Sequence, residues 1–218
     1  MSAPRIFTER LGQAMAWTEA VHRGHLRKGT DTPYVSHLVS VAALVMEHGG
    51  SEDEAIGALL HDAIEDRSGD DPEGMKRDIA GRFGQPVLDI VIGCSDAESQ
   101  REKDRENGDR ALWRERKEAY LAHLRTAPRP VRLVSMADKL HNARAILADY
   151  RRIGERLWDR FNGGRDGVLW YYRALIDTYR AALLAEAPAP DSPMGFLLAE
   201  IERTVEGFEA LAARDQAP

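Results

Sequence analysis

Residues 55–66 read AIGALLHDAIED, in which six apolar residues come directly before a histidine and three carboxylates. Because AIGALL is apolar on every side, it predicts a helix that is buried all round. Ser51 and Glu54 have the spacing of a capping box, so we expect this helix to follow Ser51 and to continue to about Asp66. A carboxylate that is buried without a counter-charge is costly or takes up a proton, whereas a bound cation removes that cost. The stretch therefore indicates a metal site, unless it is only a helix end at which acids return to solvent.

Helical periodicity dominates the rest of the chain, and no run alternates in the manner of a strand. Further helices are predicted at residues 9–21, 37–46, 72–83, 85–94, 113–124, 131–147, 166–185 and 194–213. We therefore expect an all-α fold, with a helical domain over residues 1–186, a linker at 187–193 and a C-terminal helix in 194–218. The sequence leaves open whether that helix packs on its own domain or on a second copy in a homodimer.

Composition excludes several classes of protein. The 218 residues carry a net charge of −6, whereas proteins that bind nucleic-acid polymers usually present a basic surface. No apolar run has the length of a membrane span, and the first residues lack the apolar stretch of a secretory signal. The single cysteine, Cys94, excludes an intramolecular disulfide and fits a reducing compartment, so we expect a cytoplasmic protein. Residues 95–109 are almost entirely polar and are interpreted as a loop and a candidate lid over a site.

Two distant segments carry residues comparable to His61 and Asp62. His37 stands at the start of the predicted helix 37–46, and Asp138 follows the apolar residues of a later predicted helix. Together the four side chains offer two imidazoles and two carboxylates, a set that suits Mn²⁺, Fe²⁺ or Zn²⁺ better than Ca²⁺. Taken singly, each is equally well explained as a helix cap or as a satisfied polar group in the core.

The order H…HD…D resembles that of the HD superfamily of metal-dependent phosphohydrolases. The finer pattern resembles the hydrolase domain of RelA/SpoT-type alarmone enzymes, and especially the free-standing small alarmone hydrolases. The resemblance is carried by HRGHLRKGTDTPYVSH (22–37), ALLHDAIED (58–66), RFGQPVLDIV (82–91), VRLVSMADKLHNAR (131–144) and GVLWYYRAL (167–175). It implies an HD-domain helical bundle with a C-terminal helical appendage.

The resemblance also implies a metal centre and a catalytic pair. Four residues would ligate one metal ion per chain, expected to be Mn²⁺, namely His37, His61, Asp62 and Asp138. Glu65 and Asp66 match the family's catalytic acidic pair. A carboxylate one helical turn beyond His61 suits this role, because it can orient or deprotonate the attacking water.

Substrate contacts follow from the same resemblance. Six residues would bind the nucleotide, namely Arg27, Lys28, Asn142, Arg144, Arg165 and Tyr171. Arg27 and Lys28 suit this role because cations stabilise the negative charge of a diphosphate. The other histidines are interpreted as ordinary helix, turn or structural residues, namely His22, His25, His48, His123 and His141.

The function implied is that of a metal-dependent guanosine-3′,5′-bis(diphosphate) 3′-pyrophosphohydrolase of the stringent response. It would convert (p)ppGpp-like alarmones to GDP or GTP and pyrophosphate. Two alternatives remain open: the same fold acting on (p)ppApp or NADPH, and a nucleotide-binding regulator without turnover. Three departures from the family's usual pattern bear on substrate choice, because Leu38 replaces a proline, Arg67 a threonine and His25 a glutamine. The metal-binding and acidic residues are all present, which favours an enzyme.

Overall fold

The structure is a computed structural model of the chain, and it describes residues 7–95, 109–186 and 192–214. The α-helices in these residues are α1 (Glu9–Val21), α2 (Val35–Glu47), α3 (Glu52–Leu60), α4 (Ala63–Arg67), α5 (Pro72–Phe83), α6 (Gln85–Cys94), α7 (Arg110–Thr126), α8 (Arg129–Ile153), α9 (Gly164–Ala185) and α10 (Pro193–Arg214). A 3₁₀ helix over Gly154–Arg160 separates α8 from α9. The described residues contain no strand, and Leu26 and Pro33 form an isolated antiparallel bridge. The predicted all-α fold is confirmed.

Local signals in the sequence explain most of the helix starts. The Ser51 hydroxyl accepts the Glu54 N–H and the Glu54 carboxylate accepts the Ser51 N–H, which is the predicted capping box of α3. Pro72 lies in the first turn of α5, where its missing N–H breaks no helical hydrogen bond, and Asp71 caps that turn. Gly84 separates α5 from α6 with φ of +94°, a conformation that favours glycine.

Several predicted helices are longer in the structure, and the largest difference is in the helix around Pro130. The helix predicted at 131–147 is α8, which begins at Arg129 and ends at Ile153. Pro130 is tolerated because it occupies the first turn of the helix. The 3₁₀ helix that follows α8 was not predicted, since its seven residues are too few to show a helical period.

The chain divides into two compact units, which are described separately. Unit 1 comprises Met1–Arg101 and Pro128–Ala137, and unit 2 comprises Glu102–Ala127 and Asp138–Pro218. The predicted domain bounds of 1–186, 187–193 and 194–218 stay a prediction, and residues 187–191 lie outside the described part of the chain.

Helix α3 is the centre of unit 1, where it packs against α1, α2 and α6. Its apolar side chains, among them Ile56, Leu59 and Leu60, are fully buried. A Cβ atom added at Gly57 would lie 2.6 Å from Ile90 Cγ2, so this glycine allows α3 to lie directly against α6. The C-terminal end of α3, at which the HDAIED stretch begins, is therefore fixed by contacts with three neighbouring helices.

Helix α9 is the corresponding centre of unit 2, where it packs against α7 and α10. The C-terminal helix α10 buries one apolar face, which includes Leu197, Ile201, Val205 and Phe208. The rings of Tyr172 on α9 and Phe208 on α10 make an edge contact at 5.5 Å. Of the two arrangements that the sequence left open for this helix, the structure has it packed on its own chain.

Two further expectations concern membranes and the polar loop. Among the described residues, no helix combines the length and the apolar content that crossing a bilayer requires. Of the loop predicted at 95–109, only the two end residues are described, so its interpretation as a lid stays a prediction.

Candidate metal centre and active site

The HDAIED stretch does not form one continuous helix with AIGALL, so the predicted helix to about Asp66 is wrong at its end. Helix α3 ends at Leu60, His61 and Asp62 form a turn, and α4 begins at Ala63. Asp62 has φ of −98° and ψ of 0°, a conformation in which many active-site residues are found. The Asp66 N–H still donates to the Asp62 carbonyl at 2.8 Å, so Glu65 and Asp66 follow in the next helical turn.

The turn brings Asp62 to two buried histidines. Asp62 Oδ2 lies 3.1 Å from His61 Nε2 and 3.7 Å from His37 Nε2. His37 is 1% exposed and His61 is 4% exposed, and their ring centres are 5.4 Å apart. His61 Nδ1 lies 2.8 Å from the Ala58 carbonyl oxygen, so Nδ1 donates a proton to that oxygen and Nε2 is the nitrogen available to a metal. This is the tautomer in which a histidine ligates a metal through Nε2.

Asp138 completes a group of potential metal ligands. It is carried by α8 at the residue where the division into units falls, and it is buried. His37, His61 and Asp138 each offer one ligand atom, and these atoms lie within 4.8 Å of one another. With Asp62 against both imidazoles, the arrangement has the two nitrogen and two carboxylate donors that the sequence predicts. A donor set of this kind fits Mn²⁺, Fe²⁺ or Zn²⁺.

Both oxygens of the Asp138 carboxylate have partners on α8. Lys139 Nζ lies 2.6 Å from Oδ2, and Asn142 Nδ2 donates to Oδ1 at 2.6 Å. Asn142 was predicted to contact the nucleotide, and in the structure its amide holds Asp138. A partner that fixes the orientation of a ligating carboxylate is a common feature of metal centres. Whether Asn142 also contacts a nucleotide stays a prediction.

Tyr34 makes a contact at this site that the sequence did not predict. Its hydroxyl donates to Asp62 Oδ2 at 2.6 Å. The two residues are 28 positions apart, and a local pattern of residue types does not reveal a side-chain bond across that separation. The only signal was the position of Tyr34 three residues before His37 in the YVSH stretch.

The Tyr34 ring lies in a stack with two histidines that were interpreted as ordinary. The ring centre of His25 is 4.1 Å from that of Tyr34, and the ring centre of His22 is 5.5 Å from it, with both planes nearly parallel to the tyrosine ring. The guanidinium of Arg27 lies 5.6 Å from the same ring centre. Arg27, a predicted substrate contact, therefore lies beside the residue that bonds Asp62.

Burial lowers the pKa of His22 to about 4. His22 is 2% exposed, and removal of the ring from water disfavours its charged form. Positive charge on Arg67, and on His25 or His61 when either is protonated, lowers the pKa of His22 further, while the negative charge of Asp62 raises it. His22 is therefore neutral at physiological pH.

The remaining predicted residues of unit 1 lie on accessible parts of it. Glu65 and Asp66 are half-buried on α4, Lys28 is exposed, and all three keep their roles as predictions.

The predicted substrate contacts of unit 2 make contacts within that unit. Arg165 donates to the Ala212 carbonyl at 3.2 Å, and Arg144 pairs with Glu200 at 3.5 Å. Tyr171 is buried, and its ring lies in a cluster of unit 2 side chains that comprises Trp113, Lys117, Trp170 and Tyr172. These contacts leave the predicted substrate roles untested.

Comparison with known proteins supplies further observations. A family model described as HD domain matches residues 14–169. The chain is 34% identical over 129 residues to guanosine-3′,5′-bis(diphosphate) 3′-pyrophosphohydrolase MESH1 of Xenopus tropicalis, which covers 57% of this chain and 63% of that protein. It is 29% identical over 138 residues to the bifunctional (p)ppGpp synthase/hydrolase SpoT of Escherichia coli K12, which covers 63% of this chain and 18% of SpoT. It is 31% identical over 131 residues to the probable GTP diphosphokinase RSH2 of Arabidopsis thaliana chloroplasts, which covers 60% of this chain and 18% of that protein. The chain thus spans less than a fifth of the length of the last two relatives.

Two solved structures share the fold. A metazoan ortholog of SpoT that hydrolyzes ppGpp superimposes with a TM-score of 0.64 at 21% identity, covering 95% of this chain and 99% of that one. The protein lmo0812 of Listeria monocytogenes EGD-e superimposes with a TM-score of 0.61 at 25% identity, covering 79% of this chain and 97% of that one.

Proposed function

The chain belongs to the HD-domain family, and on that premise we propose that it is a metal-dependent 3′-pyrophosphohydrolase of ppGpp-like nucleotides. The observation that carries the proposal is the buried group of His37, His61 and Asp138, with Asp62 against both imidazoles. The activities named for the Xenopus and Escherichia coli relatives support ppGpp as the substrate. The products would be GDP or GTP, and pyrophosphate.

His37, His61, Asp62 and Asp138 would hold the metal, and the donor set fits one ion. When bound, a divalent ion of this kind polarises a phosphoryl oxygen and lowers the pKa of water. We propose Mn²⁺, because imidazole and carboxylate together suit it, with Fe²⁺ and Zn²⁺ as the ions to compare. The bond between His61 Nδ1 and the Ala58 carbonyl supports His61 as a ligand, because it leaves Nε2 to bind the metal.

The acidic pair on α4 would act on the attacking water. Glu65 follows His61 by four residues and would accept a proton from the water as the water oxygen bonds to phosphorus. The bond between phosphorus and the ribose 3′ oxygen then breaks, and that oxygen takes up a proton to give the free 3′ hydroxyl. Asp66 would orient the same water or hold Glu65. Both side chains are half-buried, which leaves them accessible to substrate.

Arg27 and Lys28 would bind the diphosphate. The position of Arg27 beside Tyr34, which itself bonds Asp62, supports a cation close to the reacting phosphorus. Lys28 is exposed and would contribute charge without a rigid geometry.

The cytoplasmic location and a homodimer remain predictions that these contacts do not address.

A substrate screen tests the proposal. Purified protein with Mn²⁺ would be incubated with ppGpp, pppGpp, ppApp, NADPH and deoxynucleoside monophosphates, and the phosphorus products would be identified by ³¹P NMR. We expect pyrophosphate from ppGpp. Faster turnover of ppApp, or phosphate release from NADPH, would mean that the protein is a phosphohydrolase whose main substrate is not ppGpp. If every nucleotide stays intact while the metal binds stoichiometrically, the protein is a regulator and the proposed activity is wrong.

A further inference from the structure

We propose that Tyr34 is a positioning residue for the metal centre: its hydroxyl fixes the Asp62 carboxylate in the orientation that meets His37 and His61. The inference rests on the proposed metal centre and adds to it a residue outside the predicted ligand set. It predicts that the hydroxyl of Tyr34 sets the affinity of the protein for the metal.

The geometry places three groups around one oxygen atom. Asp62 Oδ2 accepts the Tyr34 hydroxyl at 2.6 Å and lies 3.1 Å from His61 Nε2 and 3.7 Å from His37 Nε2. A short hydrogen bond between a hydroxyl and a carboxylate is among the strong hydrogen bonds of proteins. The bond therefore keeps Oδ2 turned toward the two imidazoles.

Two other aspartates of this chain also directly precede a helix, but their carboxylates have different partners from that of Asp62. Asp71 and Asp109 also precede helices, and the carboxylate of each accepts N–H groups of the helix that it starts. Asp62 precedes α4, but its carboxylate makes no such capping bond. The ordinary local partner of an N-cap aspartate is thus replaced by Tyr34, from a different segment of the chain.

Tyr34 is itself held in place by several contacts. Its N–H donates to the His25 carbonyl at 2.8 Å, and the two rings stack with centres 4.1 Å apart and planes within 13°. The His37 ring meets the tyrosine ring edge-on at 5.5 Å. These contacts involve the ring and the backbone, so a phenylalanine at position 34 retains them and loses only the hydroxyl.

Loss of a group that orients a metal ligand typically weakens metal binding about 10- to 100-fold. We expect Tyr34→Phe to lie at the lower end, with a dissociation constant for Mn²⁺ about tenfold higher, because the histidines and Asp138 stay in place. In the absence of metal the thermal midpoint of Tyr34→Phe should fall only by the loss of one hydrogen bond, since the packing of the ring is retained.

Titration with Mn²⁺, followed by the electron paramagnetic resonance of the free ion, tests the inference. The proteins are the wild type, Tyr34→Phe, Asp62→Asn as the variant in which a ligand loses its negative charge, and Tyr150→Phe as the matched control. Tyr150 also donates to a carboxylate, that of Glu155 at 2.5 Å, but in unit 2 and outside the ligand group. The expected order of affinity is wild type equal to Tyr150→Phe, then Tyr34→Phe, then Asp62→Asn.

A further variant separates the hydroxyl from the ring. Tyr34→Leu removes the ring stack as well as the hydroxyl, so without metal it should lower the thermal midpoint more than Tyr34→Phe does. If Tyr34→Phe binds Mn²⁺ as tightly as the wild type, the positioning role is wrong and the metal centre stands. If the wild type itself binds no Mn²⁺, the metal centre fails, and the inference about Tyr34 fails with it.

Discussion

The predicted metal ligands of unit 1 and the predicted substrate-binding arginines of unit 2 differ in what they contact. In unit 1, His37, His61 and Asp62 come from two separate segments and meet one another, with Tyr34 bonded to the carboxylate. In unit 2, Arg144 and Arg165 contact Glu200 and the backbone of Ala212, both of which belong to the C-terminal helix.

The difference separates two kinds of prediction. Residues that must meet the same ion are restricted in type, spacing and burial, so a pattern of His and Asp identifies them with few alternatives. Residues that contact a substrate are often arginine or tyrosine, and the same types also join helices through ion pairs and aromatic packing. We therefore ask whether hydrolysis depends on Asp62 and Glu65 of unit 1, and whether Arg165 of unit 2 binds substrate or only joins two helices.

The largest effect is expected from Asp62→Ala, which removes a proposed ligand. Hydrolysis of ppGpp should fall to background and stoichiometric Mn²⁺ binding should be lost, measured by pyrophosphate release and by calorimetric titration. Asp78→Ala on the exposed face of α5 is the control and should change neither. Full activity of Asp62→Ala would remove this residue from the centre.

Glu65→Gln should separate metal binding from catalysis. A base that takes a proton in the transition state contributes about 10²- to 10⁴-fold to the rate, so kcat should fall by that factor. Mn²⁺ affinity should stay at the wild-type value, because the proposed role of Glu65 is to accept a proton from water and not to ligate the metal. A parallel loss of both quantities would instead make Glu65 a ligand.

Buried His22 should make the protein sensitive to acid. His22 has a pKa of about 4 when folded and an ordinary value near 6.5 when unfolded, so the unfolded chain binds more protons between these values. Its contribution is complete above pH 6.5 and is lost as the pH falls toward 4, amounting to about 3 kcal/mol in total. Urea unfolding between pH 4 and 7.5, with chelator present, should show a shallower loss of stability in His22→Phe than in the wild type. Equal slopes would mean that His22 is not held neutral.

Arg165→Gln is expected to have the smallest effect on stability. Loss of the bond to the Ala212 carbonyl should lower the free energy of unfolding by about 1–2 kcal/mol. Arg173→Gln is the control: Arg173 forms an ion pair with Glu209 between the same two helices, and an exposed pair contributes below about 1 kcal/mol. If Arg165 also binds substrate, its variant raises KM for ppGpp while Arg173→Gln does not. An unchanged KM would leave Arg165 with a packing role alone.

The sequence predicted the helices where a local signal marks their ends. Ser51 with Glu54, Pro72 and Gly84 all mark bounds that the structure has, because capping and positive φ are local properties. The break at His61 and Asp62 was not predicted, since the apolar period of α3 gives no indication of where a turn interrupts it.

The site likewise contains residues that the sequence could predict and contacts that it could not. The HD pair, His37 and Asp138 could be chosen from residue type, predicted burial and resemblance, and the structure brings them together. The bonds of Tyr34 to Asp62 and of Lys139 to Asp138 could not, because each depends on side-chain directions that residue types do not encode. Their discovery required the packed structure.

Anomalous diffraction from crystals grown with Mn²⁺ would locate the bound ion. We expect a single strong peak per chain, within about 2.3 Å of donor atoms from His37, His61, Asp62 and Asp138. A peak elsewhere, or saturating Mn²⁺ with no peak at these four residues, would show that they do not form the metal centre.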